Sequence, residues 1–137
     1  MKKQYSSACL NDTRILAEKL AARLKGVETI TLTGQLGSGK TTFVQFLAAA
    51  LGVEENITSP TFNIVRFYQG KFPLRHFDMY RLGEDELEEL GFSEIMGEPG
   101  INVIEWNKAP LHGGVINISI EITGDESRLF SVEGIEL

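Results

Sequence analysis

The sequence is poor in several residue types, and each shortage excludes a class of protein. Its single cysteine, Cys9, cannot form an internal disulfide, which excludes a disulfide-stabilised secreted fold and is typical of a reducing compartment. No apolar stretch approaches the length that spans a membrane, and the basic first residues are not followed by the apolar segment of a secretory signal. We therefore expect a cytoplasmic protein with no membrane partner.

Basic residues are also scarce, with 13 Lys and Arg against 19 Asp and Glu and a net charge of −6. Binding of nucleic acid depends on clustered Lys and Arg, and the sequence has no basic stripe. Unaided binding of RNA is therefore disfavoured, and a partner would have to hold any RNA. The 137 residues, of which 42% are apolar, predict a single domain over residues 1–137.

One motif dominates what is present. Gly34, Gly39, Lys40 and Thr41 fill every fixed position of G-x-x-x-x-G-K-[ST], the phosphate-binding P-loop. Such a loop turns its backbone N–H groups inward, which needs positive φ at positions that glycine takes most easily. Lys40 would then hold the β- and γ-phosphates, and the Thr41 hydroxyl would bind Mg²⁺. The predicted nucleotide contacts are Gly34, Leu36, Gly37, Ser38, Gly39, Lys40, Thr41 and Thr42.

The surroundings of the motif favour nucleotide binding over a glycine-rich turn that binds nothing. Residues 28–33 alternate as in a strand, and residues 43–51 read as a helix that Gly52 ends. The remaining pattern predicts a first helix from Thr13 to about Lys25, capped by Asn11 and Asp12. It further predicts hairpins 62–68 with 72–77 and 115–123 with 129–136, and short helices 84–90 and 92–96. These elements predict an α/β fold of the P-loop NTPase type, a single α/β/α domain with a mostly parallel central sheet and antiparallel hairpins.

Two carboxylates stand where predicted strands end. The apolar run 101–104 leads to Glu105, the Walker-B arrangement that places a metal ligand or a base beside the nucleotide. Asp78 follows another strand, where it could bind a metal-bound water or orient the attacking one. If that strand continues, His76, Asp78 and Tyr80 share a face. The alternative is a buried polar cluster that closes the strand.

Two further segments leave alternatives open. Ser59, Pro60, Thr61 and Phe62 form an extended segment, which is either a switch that senses the γ-phosphate or a capped surface turn. Asn107-Lys108-Ala109-Pro110 begins like the guanine-reading N-K-x-D of GTPases, but Pro110 stands where the Asp would be. Guanine specificity is therefore unsupported, and Lys108 is predicted by position alone to line the base pocket.

Taken together, these motifs resemble the bacterial TsaE family, formerly YjeE, the small ATPase of tRNA threonylcarbamoyladenosine biosynthesis. The matching segments are L-G-S-G-K-T-T at 36–42, S-P-T-F at 59–62, H-F-D-M-Y-R at 76–81, L-G-F at 90–92 and I-E-W at 104–106. The resemblance implies a P-loop fold and Mg²⁺-dependent ATP hydrolysis that is weak in isolation. It also implies partners TsaB and TsaD, which transfer the threonylcarbamoyl group to adenosine 37 of tRNA.

The resemblance also implies roles for individual residues. Thr41 and Glu105 are the expected Mg²⁺ ligands, Asp78 matters for hydrolysis, and residues 59–62 behave as a switch. His76, Tyr80, Arg81 and Trp106 are expected beside the site or at an interface. Arg81 and Arg66 are the candidates for a transition-state arginine, which a partner could instead supply.

The resulting hypothesis is an ATPase that is slow alone, with Lys40, Asp78 and Glu105 as its catalytic residues. Its cofactors are ATP and Mg²⁺, its partner is a TsaB–TsaD complex, and it meets tRNA only indirectly. The alternatives are a small P-loop kinase, which usually carries an Arg-rich lid that this sequence lacks, and an interaction module in which ATP only supports a docking surface.

Overall fold

A computed structural model describes residues 2–58, 64–111 and 113–137, without the side chains of Glu84, Leu87 and Glu88. The predicted switch residues Ser59, Pro60, Thr61 and Phe62 lie outside the described residues. The strands are β1 (Lys2–Ser7), β2 (Thr29–Thr33), β3 (Val65–Gln69), β4 (Pro73–Asp78), β5 (Ile101–Glu105), β6 (Val115–Ile122) and β7 (Arg128–Glu133). The helices are α1 (Leu10–Arg23), α2 (Lys40–Ala50), α3 (Glu84–Glu89) and α4 (Phe92–Met96).

All of these strands form one sheet in the order β1-β7-β6-β2-β5-β4-β3. The central strands β6, β2, β5 and β4 run parallel, whereas β3 pairs antiparallel with β4 and β7 pairs antiparallel with both β6 and β1. The predicted mostly parallel sheet with antiparallel hairpins is confirmed. Because β2, β4 and β5 are parallel, their carboxyl ends meet at one edge, where α/β proteins bind ligands.

Alternation along the central strands divides the core between the two faces of the sheet. Val103 of β5 packs in the larger cluster, with Leu20 of α1 and Leu47 of α2. Its neighbour Ile104 points to the opposite face and packs with Phe92 of α4. The helices therefore lie on both faces, as an α/β/α arrangement requires.

The first helix departs from its prediction at both ends. It begins at Leu10 rather than Thr13, with Cys9 at the cap and no side-chain cap hydrogen bond. Asp12 does not cap it; its carboxylate accepts instead from the backbone N–H of Ala8, 2.9 Å away. The helix ends at Arg23 because the next backbone amides, from Lys25 to Val27, donate to the Glu28 carboxylate.

Two more differences concern where elements begin. β1 was not predicted, because its residues are largely exposed and carry no apolar alternation. Helix α2 begins at Lys40 rather than Phe43, since Gly39, at φ 103°, turns the chain directly into the helix. This earlier start places Lys40 and Thr41 in the first helical turn. None of the described helices has the length and apolar character needed to cross a bilayer.

Candidate nucleotide-binding site

The loop between β2 and α2 has the backbone that the motif predicts. Gly34, Gly37 and Gly39 all adopt positive φ. At Gly34 a Cβ atom would lie 2.6 Å from Ser38 Oγ and 2.7 Å from the carbonyl oxygen of Ile120, so only glycine fits. Gly39, as the N-cap of α2, offers no side chain to the first helical amides. Those amides and the helix dipole form a site suited to a phosphate.

Lys40 is buried at the start of α2, with 6% of its surface exposed. Its ammonium donates to the carbonyl oxygens of Gly34, at 2.7 Å, and Gln35, at 3.1 Å. Burial lowers the pKa of Lys40 below its usual value, and the negative charges of Glu105 and Asp78 act in the opposite direction. The ammonium is therefore held inside the loop, close to both carboxylates.

Asp78 and Glu105 are direct neighbours, because they pair in register at the ends of β4 and β5. Glu105 is almost fully buried, and its Oε2 lies 2.6 Å from Nε2 of the fully buried His76. Asp78 is partly exposed and accepts a hydrogen bond from the backbone N–H of Tyr80 through Oδ1, at 3.0 Å. Strand β4 ends at Asp78, so Tyr80 does not continue the face that His76 and Asp78 share.

Trp106 follows Glu105 in the left-handed conformation, at φ 56°, which is rare for a large residue. This places its ring centroid 4.6 Å from the ammonium nitrogen of Lys40. The ring of Tyr80 meets it edge to face, with 5.1 Å between centroids. A strained conformation retained beside a candidate site is typical of a functional constraint.

These groups surround the larger cavity beside the loop, which has a volume of about 670 Å³. Its charged lining consists of two cations, Lys40 and Arg81, and three carboxylates. The lining residues are Leu36, Gly37, Gly39, Lys40, Thr41, Thr42, Ile64, Asp78, Tyr80, Arg81, Leu82, Glu86, Glu105 and Trp106. The structure thus brings together most of the predicted site residues at the carboxyl edge of the sheet. Leu36 and Tyr80 are largely exposed there.

A smaller cavity of about 260 Å³ lies beside the same loop. Gly37, Gly39 and Thr42 line both cavities. The rest of its lining comes from distant segments: Leu10, Thr13, Ser38, Asp125, Glu126, Arg128 and Phe130. Arg128 fixes this arrangement, because its Nε donates to the carbonyl oxygen of Ser38 at 2.9 Å. Sequence reasoning missed Arg128, since no motif marks it.

Two of the predicted cations, Lys108 and Arg66, lie apart from both linings. The ammonium of Lys108 donates to the carbonyl oxygens of Tyr80, at 2.8 Å, and Leu82, at 2.7 Å. Lys108 is absent from the lining of either cavity, so its contact with the base stays a prediction. Arg66 lies on β3 opposite His76 and is likewise absent from the larger cavity, whereas Arg81 lines it.

Comparison with known proteins decides the family. A family model described as "Threonylcarbamoyl adenosine biosynthesis protein TsaE" matches residues 7–130. The chain belongs to the TsaE family. Proteins named tRNA threonylcarbamoyladenosine biosynthesis protein TsaE include one from Bacillus subtilis strain 168, 39% identical over 85% of this chain and 76% of its own length. The one from Aquifex aeolicus is 42% identical over 85% of both chains.

A solved structure shares the fold of this chain. The crystal structure of Bacillus subtilis YdiB superposes with a TM-score of 0.83 and 28% identity, covering 99% of this chain and 87% of that one. The family model, which matches residues 7–130, and the named relatives confirm the resemblance to the TsaE family that the motifs indicated. The α/β fold of the P-loop NTPase type is confirmed with it.

Proposed function

We propose that this chain is the ATP-hydrolysing subunit of tRNA threonylcarbamoyladenosine formation, slow alone and active with a TsaB–TsaD complex. The observation that carries the proposal is the convergence of Lys40, Asp78 and Glu105 on one cavity beside the phosphate loop. Membership of a family described by threonylcarbamoyl adenosine biosynthesis supports the pathway. The leucine and tyrosine exposed at the cavity, Leu36 and Tyr80, suit a site that a partner completes.

The residues present fit Mg²⁺ as the companion of ATP. Three carboxylates line the larger cavity, so a bare polyphosphate would meet repulsion there. Thr41 and Glu105 supply a hydroxyl and a carboxylate, the oxygen ligands that Mg²⁺ prefers. Among the described residues there is no cluster of three or more His, Cys, Asp or Glu that could hold a metal alone. This suits an ion that takes its remaining ligands from phosphates and water, and that neutralises phosphate charge when bound.

Within this proposal, each side chain has a role. Lys40 exchanges its two loop carbonyls for the β- and γ-phosphates. Asp78 orients the water that attacks the γ-phosphorus, while the bond from that phosphorus to the bridging oxygen breaks to release ADP and phosphate. Arg81 lines the larger cavity as a candidate for the transition-state arginine, and a partner that completes the site accelerates a reaction that is slow alone. The switch role of residues 59–62 stays a prediction.

The smaller cavity is the proposed site of the adenine base. It shares Thr42 and two loop glycines with the larger cavity. A single bound nucleotide can therefore extend across the loop and occupy both cavities. In this arrangement the triphosphate end faces Asp78 and Glu105, and the base lies between α1 and the β6–β7 hairpin. This proposal departs from the sequence prediction for Lys108, whose ammonium donates to the carbonyls of Tyr80 and Leu82 and which lines neither cavity.

The decisive experiment measures ATP hydrolysis by the purified chain alone and with a TsaB–TsaD complex, and the threonylcarbamoyladenosine formed on tRNA. We expect the chain alone to hydrolyse ATP slowly and the complex to accelerate it. The Lys40→Ala variant should lose both ATP hydrolysis and the formation of threonylcarbamoyladenosine. Lys108→Ala is the control for the loss of a lysine charge nearby. Absence of stimulation together with absence of binding would contradict the proposal. Full modification activity in a Lys40→Ala protein without turnover would instead favour an interaction module.

A further inference from the structure

A buried polar contact joins His76 to Glu105 beside the larger cavity. His76 is fully buried in the middle of β4, and its Nε2 lies 2.6 Å from Glu105 Oε2. The two residues sit on neighbouring parallel strands, where His76 is in register with Val103, two residues before Glu105. The imidazole therefore reaches along one face of the sheet to the carboxylate at its edge.

The direction of this contact is assigned from the hydrogen-bonding inventory of the two groups. An ionised carboxylate only accepts hydrogen bonds, so the proton between the two groups belongs to Nε2 of His76. The other ring nitrogen, Nδ1, is buried without a hydrogen-bond partner among the described residues. An unprotonated Nδ1 costs less at this position than an N–H group would, because buried N–H donors without an acceptor are rare. The tautomer with its proton on Nε2 satisfies both observations.

We infer that His76 is a positioning residue, which holds Oε2 of Glu105 and leaves Oε1 as the oxygen that would bind the Mg²⁺ accompanying ATP. A free glutamate side chain populates many rotamers, and ordering one costs free energy that would otherwise weaken metal binding. The buried imidazole removes this freedom before the nucleotide arrives. Partners of this kind typically change metal affinity by about 10- to 100-fold.

The inference rests on the proposed role of Glu105 as a metal ligand, so its test uses metal affinity rather than turnover. Paramagnetic resonance of Mn²⁺ measures how tightly the complex of the full chain with a non-hydrolysable ATP analogue holds the metal. Binding of the same analogue in EDTA provides the reference without metal. The variants are His76→Gln, His76→Asn and Glu105→Gln.

His76→Gln and His76→Asn form a matched pair. Both replace the ring by a buried neutral amide, but only glutamine is long enough to place an N–H where Nε2 stood. We expect Mn²⁺ affinity to fall about 10- to 100-fold in His76→Asn and to stay within about threefold of wild type in His76→Gln. Affinity for the analogue in EDTA should not change in either.

Each other outcome has a distinct meaning. Wild-type Mn²⁺ affinity in His76→Asn, or an equal loss in both amide variants, overturns the positioning role. If Glu105→Gln itself leaves Mn²⁺ affinity unchanged, the proposed function loses its metal ligand and the inference fails with it. Nitrogen NMR of the His76 ring in the wild-type protein needs no variant to fold. The inference expects a proton on Nε2 and none on Nδ1, and the opposite tautomer contradicts it.

Discussion

On one side of the phosphate loop, the larger cavity gathers Lys40, Asp78 and Glu105 from motifs that stand at the ends of parallel strands. On the other side, the smaller cavity is built from the start of α1 and from the β6–β7 hairpin, with Arg128 bonded to the loop carbonyl of Ser38. The two cavities share the loop but differ in proposed role. Lys40, Asp78 and Glu105 of the first are proposed to face the phosphates, whereas the second, with Arg128 in its lining, is the proposed site of the base. Substitutions on the two sides should therefore have separable effects.

The largest expected effect is that of Lys40→Ala. Removing the ammonium from the larger cavity should lower ATP turnover by about 10²- to 10³-fold. This is the usual effect of losing a group that stabilises charge in the transition state. Single-turnover hydrolysis with the partner complex measures this effect. Arg128→Ala, which removes a cation from the opposite side, is the control. Comparable losses of turnover in the two variants would contradict the division between the cavities.

Asp78→Asn tests the chemistry of the larger cavity more finely. The amide keeps the shape and can still accept from the Tyr80 backbone N–H through its oxygen, so the fold should be unaffected. Loss of the charge should lower kcat by about 10²-fold, within the range for a positioned proton acceptor or water-orienting group. ATP affinity, measured by calorimetry, should remain close to wild type. A change in affinity alone would show that Asp78 binds nucleotide rather than orienting water.

The pKa of Lys40 predicts a pH dependence of binding. Burial lowers this pKa in the free protein, whereas bound phosphates favour the charged ammonium. ATP affinity should therefore fall as pH rises through the free-protein pKa, and the fall should begin at a lower pH than an ordinary lysine would give. Titrations between about pH 7 and pH 10 test this, with Lys40→Arg as a comparison that stays charged throughout. An equal pH dependence in Lys40→Arg would assign the effect to another group.

Arg128→Ala should have a smaller effect, confined to binding. The variant loses the hydrogen bond to Ser38 that ties the β6–β7 hairpin to the loop, a loss of about 1 kcal/mol, or about fivefold in affinity. ADP and ATP should weaken equally, and kcat should be unchanged. Equilibrium binding of both nucleotides provides the measurement. A loss of affinity for ATP but not for ADP would place Arg128 near the γ-phosphate. It would contradict the division of roles between the two cavities.

Lys108→Ala should have the smallest effect. Its ammonium is held by two backbone carbonyls and lines neither cavity, so adenine nucleotide affinity should change by less than about twofold. Fluorescence titration with an adenine nucleotide measures this. A large loss of affinity would indicate that adenine binds beside Lys108, as the sequence predicts.

The sequence by itself determined the phosphate loop, the parallel sheet around it and the two carboxylates at strand ends. These features depend on local chemistry: glycines where φ is positive, apolar alternation within strands, and a polar residue where each strand stops. It also gave the correct family from its motifs. The missed beginning of α2 at Lys40 and the unpredicted strand β1 show the limit of local patterns. β1 is a strand because β7 pairs with it, not because of its own residues.

Only the tertiary structure decided which side chains meet. His76 and Glu105 lie 29 positions apart, and Arg128 lies 90 positions from Ser38. Such pairs are set by the order of the strands in the sheet and by the packing of loops against it, which no local pattern encodes. The same holds for Trp106, whose left-handed backbone places its ring over Lys40. The motifs specify the groups proposed to face the phosphates, and contacts between distant parts of the chain specify the groups that hold them in place.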